Sequence, residues 1–220
     1  MARGRPSKKQ HIIETALTLF SRLGYQGTSI EQVIVAAAVS KPTVYSNFSS
    51  KHILWTHSLE YLFLVSQTEL EDLAKKYVSE EGTLSNTEAS KELSLDVSLD
   101  LSLDLSLDLF LERWLAIWQG WLANKNRLAV YRIMLGESHK MEELSFVLFQ
   151  QFETLLTDHL MKSLLGLKLT EQQISILMAI SKDALLMPLL YGRNTFSNVE
   201  YGTLPKVNSE VKKLLQSVLD

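Results

Sequence analysis

Residues 12–54 read IIETALTLFSRLGYQGTSIEQVIVAAAVSKPTVYSNFSSKHIL. Ile12, Ile13, Ala16, Leu17, Phe20 and Leu23 recur at spacings of three and four, which lines one apolar face of a helix over Gln10 to Leu23. Gly24 supplies its stop. After Tyr25-Gln26-Gly27, Thr28 with Glu31 three residues on predicts a capping box opening a short helix over Ile30 to Ala37. Ser40 caps a third short helix, with Pro42 in its first turn, where backbone N–H groups have no intrahelical partner. A fourth helix starts near Ser50 and runs to Tyr77. Two short helices joined by a tight turn and flanked by longer ones make a helix-turn-helix, with Ile30, Val33, Val44 and Phe48 as its core.

Charge divides at the same place. Residues 1–52 hold seven basic and two acidic residues, a net +5, whereas the remainder holds 15 basic and 23 acidic residues, a net −8. A small basic module suited to a polyanion is thus attached to an acidic body with another task. The 220 residues, 46% hydrophobic and 21% charged, suffice for a folded chain with a substantial core. No cysteine is present, which excludes disulfides, thiolate metal sites and thiol catalysis. The polar, basic start has no apolar signal segment, and the longest uninterrupted apolar candidate, Ala184 to Tyr191, falls short of a membrane span of roughly 18 residues. A cytoplasmic protein with no membrane partner is expected.

The positions Ala16, Leu19-Phe20, Gly24-Tyr25, Thr28-Ser29-Ile30, Val39-Ser40-Lys41, Thr43-Val44-Tyr45, Phe48 and Ser50-Lys51 together closely resemble the N-terminal DNA-binding domain of the TetR family of bacterial transcriptional regulators. The resemblance implies an all-α protein: a helix-turn-helix domain over 1–52, and a larger helical regulatory and dimerisation domain over 53–220. It implies double-stranded operator DNA as partner, read by the helix Lys41 to Asn47 in the major groove. Lys41, Pro42 and Thr43 then lie nearest the base edges, and Tyr45, Lys51, Thr28 and Ser40 meet the phosphates. Thr28 and Ser40 can equally be plain helix caps, and Asn47 faces either solvent or DNA. Arg3 and Arg5 form either a minor-groove arm or a disordered tail. At Ala38 the family usually has glycine; a positive φ there would cost about 1 kcal/mol.

In the acidic body, 78–91 reads as a loop. The segment 93–109 is a low-complexity SLDL repeat whose alternation suits a strand, although its position between helices favours a helix. Trp114, Trp118 and Trp121 share one helical face. With Tyr131, Met134 and Met178 they are candidates for an apolar pocket holding a small apolar or amphipathic ligand, and each is equally a core residue. By the same family resemblance, helices over about 141–165 and 170–191 form a homodimer interface. The run Ile133 to Ser138 with Glu143-Leu144 resembles AefR-like members. No phosphate loop, nucleophile elbow, zinc-binding helix or dinucleotide fingerprint is present, so no catalytic residue, metal or cofactor is expected. The sequence therefore points to a ligand-released repressor; a ligand-independent regulator or an activator is the alternative.

Overall fold

The computed structural model describes residues 7–84, 95–162, 169–190 and 209–219, and every regular element among them is helical. The helices are α1 (Lys8–Gly27), α2 (Ile30–Ala36), α3 (Lys41–Asn47), α4 (Lys51–Leu84), α5 (Leu95–Ala123), α6 (Lys125–Glu137), α7 (Glu143–Lys162), α8 (Glu171–Ser181), α9 (Met187–Leu190) and α10 (Ser209–Gln216). They pack as two compact units, Met1–Ser66 with Asn124–Thr154, and Gln67–Ala123 with Leu155–Asp220. The helix-turn-helix thus shares its unit with the start of α4, all of α6 and the start of α7. The boundary expected between 52 and 53 falls inside the first turn of α4 and does not coincide with the division into packing units.

In the first unit the pattern of threes and fours does what the sequence implies. Ile12, Ile13, Ala16, Leu17 and Phe20 are buried along α1, and Ile30, Val33, Val44 and Phe48 close the core beneath α2 and α3, while Leu23 stays exposed. Trp55 from α4 lies edge-on to both Phe20 and Tyr25, with ring centroids 5.0 and 5.8 Å away. Such aromatic pairs add to the burial of their large apolar area. Asn124 caps α6 by accepting the N–H groups of Asn126 and Arg127. Farther along, Tyr131 packs against Phe149 and Phe152 of α7.

The second unit is built on the tryptophan face of α5. Trp114, Trp118 and Trp121 are fully buried, and the Trp114 indole N–H donates to the Ser181 hydroxyl at 2.8 Å. At that serine α8 widens into a π-helical turn, Lys182–Leu186. Pro188 supplies a reason: it has no N–H for the Ala184 carbonyl, and its ring crowds the preceding turn. Across α5, Lys212 of α10 pairs with Asp108 at 3.0 Å.

Several expectations change. The loop placed at 78–91 is helical through Leu84, since Ser79-Glu80-Glu81 continues a helix on propensity without an apolar face; residues 85–91 lie outside those described. The SLDL repeat from Leu95 onward is helical, as its position between helices favoured, and forms the first half of α5. The run Glu171–Leu190 is long and apolar enough, by length and composition, to cross a membrane. A count of uninterrupted apolar residues passes over it because Gln172, Gln173, Ser175, Ser181, Lys182 and Asp183 interrupt it.

Replacing Ser181 by alanine leaves the buried Trp114 N–H without an acceptor. Ser181→Ala is expected to cost about 1–3 kcal/mol in chemical denaturation of the full chain, with the tryptophan emission of the folded state changed as well.

Candidate nucleic-acid interface

The reading head is assembled by caps. Ser29, not Thr28, opens α2: its hydroxyl accepts the Gln32 N–H at 3.2 Å, and the Gln32 side chain returns to the Ser29 N–H at 2.8 Å. Thr28 instead belongs to the end of α1. Its backbone N–H reaches the Tyr25 carbonyl, its hydroxyl donates to the Gly24 carbonyl at 2.8 Å, and the residue is 2% exposed. The α2 cap expected of Thr28 is therefore corrected to Ser29, and Thr28 is a buried residue closing α1. The sequence offers both Thr28…Glu31 and Ser29…Gln32 as boxes one residue apart. Burial of Ile30 and Val33 decides between them.

Between α2 and α3 the chain turns through Ala38, which is exposed and sits at φ 52°, the left-handed region where a side chain is strained. The departure from glycine noted in the sequence falls on the position that most favours glycine. Ser40 then caps α3, accepting the Thr43 N–H at 3.3 Å, with its hydroxyl 2.7 Å from that of Thr43. Lys41, Pro42, Tyr45, Ser46 and Asn47 are exposed and Thr43 is half-buried. The Lys41 ammonium lies 5.6 Å from the centre of the Tyr45 ring, so the two extend along one side of the helix together. The Asn47 amide and the Ser46 hydroxyl both donate to the Thr43 carbonyl, at 2.8 and 3.0 Å.

Lys51, the first residue of α4 and an expected phosphate contact, is tied back by the fold. Its ammonium donates to the Tyr25 carbonyl at 3.0 Å and lies 4.4 Å over the Tyr25 ring. One of its three N–H groups is thereby used and its direction fixed. Lys9 lies 5.9 Å over the Phe48 ring and adds a cation at the start of α1.

Behind this surface stands a residue to which the sequence reading assigned no role. Gly24 interrupts α1 at φ 75° and ψ 175°, so the following backbone N–H groups turn to a side chain for an acceptor. Glu137, at the end of α6, accepts from Tyr25 N–H at 3.1 Å and from Gln26 N–H at 2.7 Å. A Cβ on residue 24 would lie 2.6 Å from the Glu137 Oε1, so any other residue would displace that carboxylate, and the positive φ itself calls for glycine. Nearby, His52 Nε2 meets Glu142 Oε2 at 2.9 Å. The Tyr25 hydroxyl is pushed above its ordinary pKa by burial, then by the negative charges of Glu142 and Glu137.

The other expected site residues lie elsewhere. Arg3 and Arg5 are outside the described residues. Of the pocket candidates, Trp114, Trp118, Trp121 and Met178 belong to the second unit and Tyr131 and Met134 to the first. All are buried except Met178, which is half-buried. The Trp118 indole N–H is buried without an acceptor. Among the described residues no group of three or more histidine or acidic side chains is placed to hold a metal ion.

A capped pair of short helices carrying exposed cations, backed by a longer helix on each side, is a helix-turn-helix DNA-binding domain. Residues 12–54 match the family described as bacterial regulatory proteins, tetR family. The chain is 34% identical over 73 residues to the HTH-type transcriptional regulator YerO of Bacillus subtilis, a match spanning 31% of this chain and 25% of YerO. It is also 34% identical over 55 residues to IcaR, the negative transcriptional regulator of the biofilm operon icaADBC in Staphylococcus aureus, covering 25% of this chain and 30% of IcaR. These matches span under a third of either relative. The likeness in fold is wider. A solved structure described as a TetR-family transcriptional regulator of Mesorhizobium loti aligns over 96% of this chain and 93% of its own, with TM-score 0.55 and 18% identity. Another, from Shewanella sp. PV-4, aligns over 97% and 96% with TM-score 0.54 and 15% identity. The chain thus joins a segment similar to the tetR family's regulatory proteins to an all-helical fold like that of the two solved structures.

Relief of the strain at Ala38 is a direct check on the turn. Ala38→Gly should raise stability by about 0.5–1 kcal/mol, the left-handed penalty less the extra freedom of glycine in the unfolded chain. An unchanged melting temperature would contradict the geometry given for residue 38.

Proposed function

We propose that this protein is a transcriptional repressor that binds a palindromic operator as a homodimer and is released by a small molecule held in its C-terminal helical domain. The observation that carries the DNA reading is the exposed row Lys41, Pro42, Tyr45, Ser46 and Asn47 on a capped α3, flanked by Lys51 and by Lys9. In this reading residues 1–52 read DNA and 53–220 regulate and dimerise, in the cytoplasm of a bacterium. Lys41 and Thr43 face base edges; Tyr45, Ser40, Ser29 and Lys51 meet phosphates; Arg3 and Arg5 follow the minor groove.

Repression is favoured by the negative regulation named for IcaR. A dimer is supported by a single helix-turn-helix reading few base pairs, and by the large apolar side chains left exposed on α7 and α8, namely Leu144, Phe146, Val147 and Ile176. The same pairing accounts for the apolar run Glu171–Leu190, since Lys182 and Asp183 in its middle would be costly in a bilayer. A ligand role for the second unit is supported by the Trp118 N–H, which has no acceptor and would gain one from a polar group of a bound molecule. The relatives are regulators, and the reading is accordingly one of binding, not catalysis.

Fluorescence anisotropy on the DNA upstream of the protein's own gene, against scrambled DNA over a salt series, tests this. Selective binding with a steep salt dependence is expected. Lys51→Ala should weaken operator and scrambled DNA alike and lower the salt slope by about one. Equal, weak binding to both DNAs by the wild type would contradict the proposed regulation at that promoter.

A further inference from the structure

We propose that Glu137 is a positioning residue for DNA binding: by holding the Tyr25 peptide from behind, it fixes Lys51 for its phosphate contact. This inference rests on the DNA-binding reading above.

The geometry runs through one peptide segment. On its N–H side, Tyr25 and Gln26 donate to the two carboxylate oxygens of Glu137, at 3.1 and 2.7 Å. On its carbonyl side, Tyr25 accepts the Lys51 ammonium at 3.0 Å, and the Tyr25 ring lies 4.4 Å beneath the same ammonium. The ring is in turn held by Phe20 and Trp55, 5.9 and 5.8 Å away. Lysine has a long, rotatable stem and loses considerable side-chain freedom when it is fixed. Here that loss is met in the free protein, before DNA arrives, by a carbonyl and a ring whose own place depends on Glu137. Hydrogen bonds to a carboxylate are stronger than those between neutral groups, so the carboxylate makes the segment stiffer than an amide would.

The proposal makes a prediction opposite in sign to simple charge. Removing a negative charge from the DNA-binding unit should tighten binding to a polyanion. If Glu137 acts by position, Glu137→Gln instead weakens operator binding, by about tenfold at fixed salt, because the hydrogen bonds that hold the Tyr25 peptide lose their charged acceptor. Glu60→Gln, which removes an exposed carboxylate of α4 outside the residues assigned to DNA or to the dimer interface, serves as the charge-matched control and should leave binding equal or slightly tighter. A double-mutant cycle tests the route: in a Lys51→Ala background, Glu137→Gln should have little further effect.

The experiment is anisotropy of the full chain on operator and scrambled duplexes for wild type, Glu137→Gln, Glu60→Gln, Lys51→Ala and the double variant, with melting curves alongside. Weakening by Glu137→Gln that disappears without Lys51 supports the proposal. Unchanged or tighter binding by a folded Glu137→Gln protein overturns it, and so does weakening of equal size in both backgrounds. If the glutamine variant does not fold, Glu137→Asp, which keeps the charge but shortens the reach, is expected to weaken binding in the same direction. Amide hydrogen exchange at Tyr25 and Gln26, slow in wild type and faster in Glu137→Gln, reads the clamp without DNA; equal rates overturn it. Failure of the wild type to prefer operator over scrambled DNA, with the exchange difference present, would instead remove the DNA-binding reading and this role with it.

Discussion

The break in α1 at Gly24 is the constraint on which the reading head depends. A helix that continued past residue 24 with regular geometry would carry Tyr25 around its axis, away from Phe20 and Trp55. The positive φ turns the chain instead, and two backbone N–H groups are left to find acceptors outside their own helix. Glu137 answers both. From that point the rest of the unit follows in sequence. The Tyr25 ring seats against Trp55, the Thr28 hydroxyl closes the end of α1, and Ser29 opens α2 so that Ile30 and Val33 meet the core. Because α6 lies against α1 within this unit, the helix-turn-helix is not a free-standing bundle of three helices.

The caps around α2 and α3 also set what the surface offers to a partner. Short helices of seven residues have little stability of their own. Ser29 with Gln32, Ser40 with Thr43, and Pro42 in the first turn of α3 make up for this at the ends, where backbone donors are otherwise unsatisfied. Ser46 and Asn47 spend their donors on the Thr43 carbonyl. The outward chemistry of α3 is therefore the Lys41 cation, the Tyr45 edge and a few acceptors. At Ala38 the local preference of the residue opposes the fold, and it lies in the turn that orients this helix.

Much of the architecture was legible in the sequence. Apolar spacing identified α1 and the core of α2 and α3, and a dense match of small motifs identified the helix-turn-helix. The tryptophan ridge was legible as a face because four- and three-residue steps return to one side of a helix. What was not legible depended on contacts between residues far apart in the chain. Thr28 and Ser29 are equally good caps locally, and only burial of the residues after them separates the two. Glu137 stands 112 positions from Tyr25, and nothing in its own neighbourhood marks it. Glu80 and Glu81 extend α4 where absence of apolar rhythm suggested a loop, because a solvated helix needs propensity rather than periodicity. The pocket candidates divided between two packing units for the same reason: aromatic and methionine residues are common core material, and their grouping is set by three-dimensional placement.

The central claim is that DNA is met by the capped α3 and the start of α4, with α6 as support. Hydrogen–deuterium exchange of the full chain, with and without duplex DNA from upstream of its own gene, tests it most directly. The account predicts slowed exchange concentrated over Ser29–Gln32 and Ser40–Lys51 when DNA is present, with the tryptophan face of α5 unaffected. Protection that leaves those segments unchanged, or that falls on the second unit alone, would contradict it.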